Sequence, residues 1–412
     1  MLVLTTEEEQ KYGEADPAEW HQQKHGSGGF CSKMLDYYCS HRGKLQYVIW
    51  LHKNCDEECS TQAMDNAATN GHLDVVKWLH ENRYEGCTTA AMDGAASNNH
   101  RDMVNWLHEN CGEGCTTAAM DNAASNWHLD MLKWLSQNRR EGCTTAAMDE
   151  SAKDGNEAVL DWLHRNRSEG CTTAAFDGAA SNGHINIVQW LQQNRRDGCT
   201  NTAIDGAAAN GRLEMIKWLH RNKSFTEGFR KTTMDVAASN GHLAVVKWLH
   251  AKRNEGCTTA AMDQAAANGH ALVVRWLHEN RNEGCTTAAM DGAAGEGFMD
   301  AVKWLHKNRS EGCSAAASNG HLNIVRYLHT NLSQRATNEV IAAAAEHGHL
   351  PVVLYLHEHR SEVCSAQAIL QARKNKHDEV VEFLMQHEDC RQASCVGDNL
   401  GKATRGTPYR KR

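Results

Sequence analysis

The sequence predicts an all-α fold, a solenoid of about thirteen stacked helix-turn-helix units, and three observations predict it. A 28-residue period runs along most of the 412 residues. Within each period apolar letters recur twice at helical spacing. Proline is nearly absent, occurring only at Pro17, Pro351 and Pro408, and strand-like alternation is absent throughout.

The period is carried by two registers. The phrase EGCTTAAMDGAASN at 85–98 returns almost unchanged from Glu113, Glu141, Glu169, Glu255 and Glu283. An aromatic followed by Leu recurs at Trp50, Trp78, Trp106, Trp134, Trp162, Trp190, Trp218, Trp248, Trp276, Trp304, Tyr327, Tyr355 and Phe383. The spacing departs from 28 twice, to 30 between Trp218 and Trp248 and to 23 between Trp304 and Tyr327. A cysteine opens most units, from Cys31 to Cys364, with Phe229 and Ala336 in its place in two of them. The array therefore spans 31–391, with an N-terminal extension at 1–30, a short defective unit at 313–335 and a basic tail at 392–412, GKATRGTPYRKR at its end, that is expected to be disordered.

Each element follows from the unit 59–86. In STQAMDNAATN, Met64, Ala67 and Ala68 fall at i, i+3, i+4, one face of a short first helix. In GHLDVVKWLHENR, Leu73, Val76 and Leu79 form a stripe with Val75 and Trp78 beside it, a second helix buried over most of its circumference. Gly71 supplies the positive φ of the turn between them, and Gly86 is expected to end the second helix in the same way. The hydroxyls of Thr88 and Thr89 are placed to cap the next first helix. Pro351 sits in a first helical turn, where a missing N–H costs nothing. Helices this short are unstable alone, so each pair must bury its faces against the neighbouring pairs.

The stretches NGHLDVVKWLH (70–80), SNGHINIVQWL (181–191), SNGHLAVVKWLH (239–250) and SNGHLNIVRYLH (318–329), with the Ala-Ala pair before them, resemble the second half of ankyrin repeats. The resemblance covers nearly the whole array. It departs from the family in reading Ala-Ala-Met-Asp (90–93) where Thr-Pro-Leu-His is usual, and in a unit about five residues short of the usual ~33. The resemblance implies ankyrin-like repeats with shortened loops, a first helix lining the concave face, and a protein partner bound there and along the loop edge.

Composition narrows the function. With 43 basic against 51 acidic residues and a net charge of −8, wholesale attraction to nucleic acid or to an anionic membrane is not expected. The start MLVLTTEEEQKYGE has neither the basic region nor the apolar core of a secretory signal, and no run approaches the ~18 apolar residues of a membrane span. Sixteen cysteines without such a signal point to free thiols in a reducing compartment, cytoplasmic or nuclear. A monomer is expected.

The repeated Cys, His and Asp are read as packing and turn residues, not as catalytic groups. The cysteine slot accepts Phe229 and Ala336, and the Gly-His slot (His72, His100, His128, His184, His242, His270) accepts Asn156, Arg212 and Phe298. A nucleophile tolerates neither, and a catalytic site converges once in one pocket. No cofactor is expected. The Cys-x3-Cys pairs Cys55/Cys59 and Cys111/Cys115 lie two units apart, too far to share one zinc with bonds of ~2.3 Å. Cys55 and Cys111 occupy the slot that Arg83 holds elsewhere. A single cap site from Cys31, Cys39, Cys55 and Cys59 is the remaining metal reading. Cysteines at equivalent positions of neighbouring units are too distant for disulfides.

The alternative function is binding of single-stranded nucleic acid, with the Trp ladder as a stacking platform and Arg83, Arg139, Arg167, Arg195, Arg253 and Arg281 tracking phosphate. Against it, Trp reads as core, each Arg is followed two residues on by Glu or Asp, and the acidic ladder Asp65, Asp93, Asp121, Asp149, Asp177 and Asp205 would repel a phosphate backbone. The histidines after Trp-Leu (His52, His80, His108, His164, His220, His250, His278, His306) read as half-exposed.

Slots identical in all copies serve the stack, so a partner must read the slots that differ. On the first helix these are the positions after Asp, Asn66, Gly94, Glu150, Val236 and Gln264, and after Ala-Ala, Thr69, Lys153 and Ala209. In the loop they are Tyr84, Arg140, Ser168, Arg196 and Asn254. The unit 143–170 departs most, through Glu150, Lys153, Asp154 and Glu157, and centres the expected site.

Overall fold

The computed structural model describes residues 36–39, 43–54, 60–308, 315–331, 338–359 and 366–386. The expectations for the extension 1–30, for Cys31, Cys55, Cys59, Cys313, Ala336 and Cys364, and for the tail 392–412 lie outside these residues. The chain forms two compact units, Met1–Thr200 and Asn201–Arg412. Each is an all-α stack of helix pairs, and no strand occurs among the described residues. No helix there is long and apolar enough to cross a membrane.

The pair Thr61–Thr69 and Leu73–Asn82 represents the rest. Ala63, Met64, Ala67 and Ala68 of its first helix and Val75, Val76 and Leu79 of its second are buried, as helical spacing requires. Leu73 and Trp78 are only half-buried, because each lies at the margin of the stripe. The other tryptophans that precede Leu are half-buried likewise, except Trp134, which reaches the core at 9 % exposure. Gly71 turns the chain between the helices at φ 77°. Gly86 also has positive φ, 71°, but it does not end the helix. The second helix stops at Asn82, with Arg83 extended and its N–H bonded to Leu79 O, and Gly86 bends the loop three residues later. Thr88 caps the next helix, Thr89–Ser97, by accepting from Ala90 N.

Neighbouring pairs are joined by the repeated aspartate. Asp65 turns its carboxylate onto the next pair, Oδ1 accepting from Thr88 N (2.7 Å) and Oδ2 from Thr88 Oγ1 (2.8 Å). The same two bonds recur from Asp93 to Thr116, Asp121 to Thr144, Asp149 to Thr172 and Asp177 to Thr200 in the first unit. In the second unit they join Asp235 to Thr258 and Asp263 to Thr286. The two-residue insertion after Trp218 is taken up by the 3-10 turn Lys223–Gly228, and there Asp205 accepts from Arg230 and from Thr233 Oγ1 (2.6 Å) instead. The acidic ladder is therefore not displayed as a charged face. Asp65, Asp149 and Asp177 are under 10 % exposed, as are their later copies Asp235 and Asp263.

A second ladder closes the opposite edge. Asn98 Nδ2 donates to Thr69 O (2.9 Å), Asn126 to Ser97 O, Asn182 to Lys153 O, Asn268 to Ser239 O and Asn375 to Glu346 O. These amides satisfy carbonyls that a helix C-terminus leaves open. In the short repeat the first helix is Ala315–Ser318, four residues where its counterparts have eight to ten.

Asp149→Ala removes two bonds to a buried carboxylate and leaves the Thr172 amide unpaired. The expected loss of stability is about 2–3 kcal/mol, and Asp149→Asn, which keeps one acceptor, loses about 1 kcal/mol. Urea unfolding of the full chain measures both; equal midpoints for wild type and Asp149→Ala would remove the aspartate from the account.

Candidate partner-binding surface

At the loop edge the arginine two residues before Glu or Asp is consumed locally. Arg83 donates through Nε to both oxygens of Glu85 (3.1 and 3.2 Å), and Arg195 through Nε to Asp197 Oδ2 (2.9 Å). Arg139, Arg167, Arg253 and Arg281 pair through Nη2 with Glu141, Glu169, Glu255 and Glu283. The pair also reaches the preceding repeat: Arg83 Nη1 lies 3.1 Å from His52 Nδ1, Arg281 Nη1 3.3 Å from His250 Nδ1, and Cys257 N donates to Glu283 Oε1 (3.4 Å). The arginines proposed to track phosphate are thus already neutralised.

The cysteines fill the slot behind these pairs. Cys87, Cys115, Cys143, Cys171 and Cys257 are buried, and Phe229 takes the same slot at 4 % exposure. Burial pushes the thiols of Cys115, Cys143 and Cys257 up to about 11. Burial and a hydrogen bond to Asp197 push Cys171 up to about 12. Thiols held protonated this firmly are poor nucleophiles. The histidines after Trp-Leu stand edge-on to the next repeat's tryptophan, at ring-centre distances of 5.1 Å for His52–Trp78 and 5.0 Å for His278–Trp304. His52, His164, His220, His250 and His306 are half-buried, whereas His80, His108 and His278 are exposed. The Gly-His histidines lie over the preceding turn glycine: a Cβ on Gly71 would come 2.7 Å from the His100 ring, so a side chain there would have to displace that ring.

The variable slots divide by exposure. Asn66, Tyr84, Arg140, Lys153, Arg196 and Gln264 are exposed, Tyr84 at 77 %, whereas Glu150 and Val236 are half-buried. Glu150 and Lys153 meet in an ion pair of 2.8 Å. The remaining six lie in five different repeats, Asn66 and Tyr84 sharing one.

Two features escape a reading of the period. The slots after Asp and after Ala-Ala touch across repeats. A Cβ on Gly94 would come within 2.9 Å of Thr69 Cβ, and one on Gly178 within 2.8 Å of Lys153 Cβ. Variation at these slots therefore includes complementary packing, large against glycine. Much of the distinctive 143–170 repeat is also internal: buried Ser151 donates to Ala147 O (2.6 Å), Asn156 caps Val159 N (3.2 Å), and Glu157 accepts from Asn186 of the next repeat (2.9 Å).

The second feature is Trp127. It stands in the turn slot of Gly71, holds φ at 69° and exposes 56 % of its surface. A side chain in the left-handed region costs about 1–2 kcal/mol relative to glycine. The visible signal is the reading Asn-Trp-His where other copies have Asn-Gly-His.

Acid should weaken this edge. The hydrogen bond from Arg281 holds the Glu283 carboxyl at about 2, against an opposing contribution from burial. At Glu169 burial pushes the carboxyl up, but the bonds from Arg167 and from backbone N–H groups outweigh it and leave it at about 2 as well. Both folded values lie below the ordinary 4.5, so their contribution is full above about 4.5 and is lost as pH falls toward about 2. Burial and the neighbouring His242 lower His270, which adds a smaller loss on acidification through about 6.5. Urea midpoints measured from about pH 7 to 3 should fall in these two stages, and Glu283→Gln should flatten the lower one. A midpoint constant across that range would contradict the pairing.

Residues 64–108 match a family model described as ankyrin repeats (many copies), and residues 313–394 match one described as ankyrin repeats (3 copies). No curated protein matches the chain. Ankyrin repeats are generally protein–protein interaction modules and typically non-enzymatic. The matched stretches fall in both compact units, and each unit is built from the same helix pair with its aspartate and asparagine ladders, so the chain carries ankyrin repeats in both units.

Proposed function

We propose that this chain is a non-enzymatic scaffold, a monomer in a reducing compartment, that binds a protein partner through the exposed variable slots of its first helices and loop edge. One observation supports this above the others. The repeated aspartates, and the arginines of the Arg-x-Glu loops, are engaged in bonds within the stack, whereas the variable slots of Asn66, Tyr84, Arg140, Lys153, Arg196 and Gln264 are exposed. Asn66, Arg140, Lys153, Arg196 and Gln264 supply polar contacts, and Tyr84 supplies an exposed aromatic anchor. Trp127 is a second anchor: an indole kept in a turn that glycine would fill at lower cost is a residue retained against stability. Large aromatics are the residue type that most often dominates interface energy.

The test combines stability with capture. Trp127→Gly should raise the urea midpoint, by about 1 kcal/mol of stability, because it relieves the backbone. Immobilised full-length chain should capture a protein from lysate in a stoichiometric complex. That capture should fall at least about tenfold for Trp127→Gly with Tyr84→Ala, or for Glu150→Ala with Lys153→Ala and Gln264→Ala. Unchanged capture by both sets would reject these slots. Salt-dependent binding of single-stranded RNA or DNA by the wild type would reject the protein-partner reading.

A further inference from the structure

Where both the arginine and the preceding cysteine are described, the position of Arg83 holds a cation that stands beside the thiol of the preceding repeat and pairs with its own carboxylate. Arg139 stands beside Cys115 and pairs with Glu141, Arg167 beside Cys143 with Glu169, Arg195 beside Cys171 with Asp197, and Arg281 beside Cys257 with Glu283; Arg253 packs on the Phe229 ring instead. In the repeat 87–114 the arginine is replaced by Cys111. The thiol then meets Cys87 of the preceding loop instead of Cys115 beside it in the sequence. Glu113, the counterpart of those arginine-paired carboxylates, faces Cys87 Sγ at 3.9 Å. The three ligand atoms of Cys87, Cys111 and Glu113 all lie within 4.8 Å of one another, and this is the one such group among the described residues.

We propose that Cys87, Cys111 and Glu113 form a binding site for a thiophilic divalent cation, zinc first among them, that clamps two adjacent repeats. Two sulfurs and one carboxylate oxygen make a donor set suited to a borderline-soft ion. Zn–S bonds of about 2.3 Å place tetrahedral donors about 3.8 Å apart, so side-chain rotation of roughly 1 Å completes the site. The burial is graded: Cys87 is buried, Cys111 half-buried and Glu113 exposed, which anchors the ion on one side and leaves the fourth position to solvent.

Charge supports the assignment. The loops of Arg139, Arg167, Arg195 and Arg281 put a positive group beside both a carboxylate and a buried thiol; this loop has the same carboxylate and thiol and a second thiol in place of the cation. A divalent ion restores the positive charge at the same point. Both thiol protons leave to solvent as the two S–metal bonds form.

The experiment uses the full chain, reduced without added thiols, and titrates cobalt(II) as a spectroscopic stand-in for zinc. One equivalent should produce a thiolate-to-cobalt charge-transfer band that zinc(II) abolishes. Cys111→Arg, which restores the residue of the other repeats and so keeps the fold, should lose that equivalent and its band. Glu113→Gln should weaken cobalt affinity by more than about tenfold, a change that even outer-shell substitutions can produce. Zinc(II) should raise the urea midpoint of the wild type and leave that of Cys111→Arg unchanged. Absence of the band, or a band of equal amplitude in Cys111→Arg, would overturn the proposal.

Discussion

A helix of nine or ten residues does not persist in water, so this chain depends on what joins one helix pair to the next. The joint is a carboxylate. Asp65 and its copies, Asp205 excepted, accept an amide and a hydroxyl from a threonine 23 residues on, at 2.6–2.9 Å. At Thr88, Thr116, Thr172 and Thr286 that threonine is also the N-cap of the following helix, its Oγ1 accepting from the amide two residues later. One interaction therefore starts a helix and docks it in the same act. The 28-residue spacing is the spacing at which this bond, the asparagine ladder and the apolar stripe come into register together.

The same economy explains why repeated reactive residues do no chemistry in most of the chain. Aspartates hold threonines, arginines hold their own carboxylates, histidines stand against tryptophans, and thiols sit protonated in a packed slot. Function is left to departures from the repeat. Trp127 departs by holding a strained turn, Tyr84 by exposing an aromatic ring, and Cys111 by replacing a guanidinium with a thiol. Each is tolerated because its effect stays within two neighbouring repeats, where stability is a sum of local terms.

The helices, their buried faces and the turn glycines were legible because helical periodicity and glycine chemistry act within one repeat. Met64, Ala67 and Ala68 are buried as spacing requires, and Arg83 pairs with Glu85. What a single repeat does not display is contact across repeats. Asp65 reads as a surface acid until Thr88 is seen to fold back onto it. Cys111 reads as the partner of Cys115 until the arginine slot proves to face the cysteine of the preceding repeat. Gly94 reads as a variable slot until Thr69 is found beneath it. The rule that would have served is to compare each departure with the preceding repeat, not with its own.

Deleting residues 115–142 tests the dependence on neighbours most directly. The cut removes one 28-residue period and brings Thr144 to the place of Thr116, so that Asp93 keeps an amide and a hydroxyl to accept. The shortened chain should retain full helicity per residue and unfold cooperatively in urea, whereas removal of 14 residues, 115–128, should not. An unfolded product from the in-register deletion, or a folded one from the out-of-register deletion, would contradict the account.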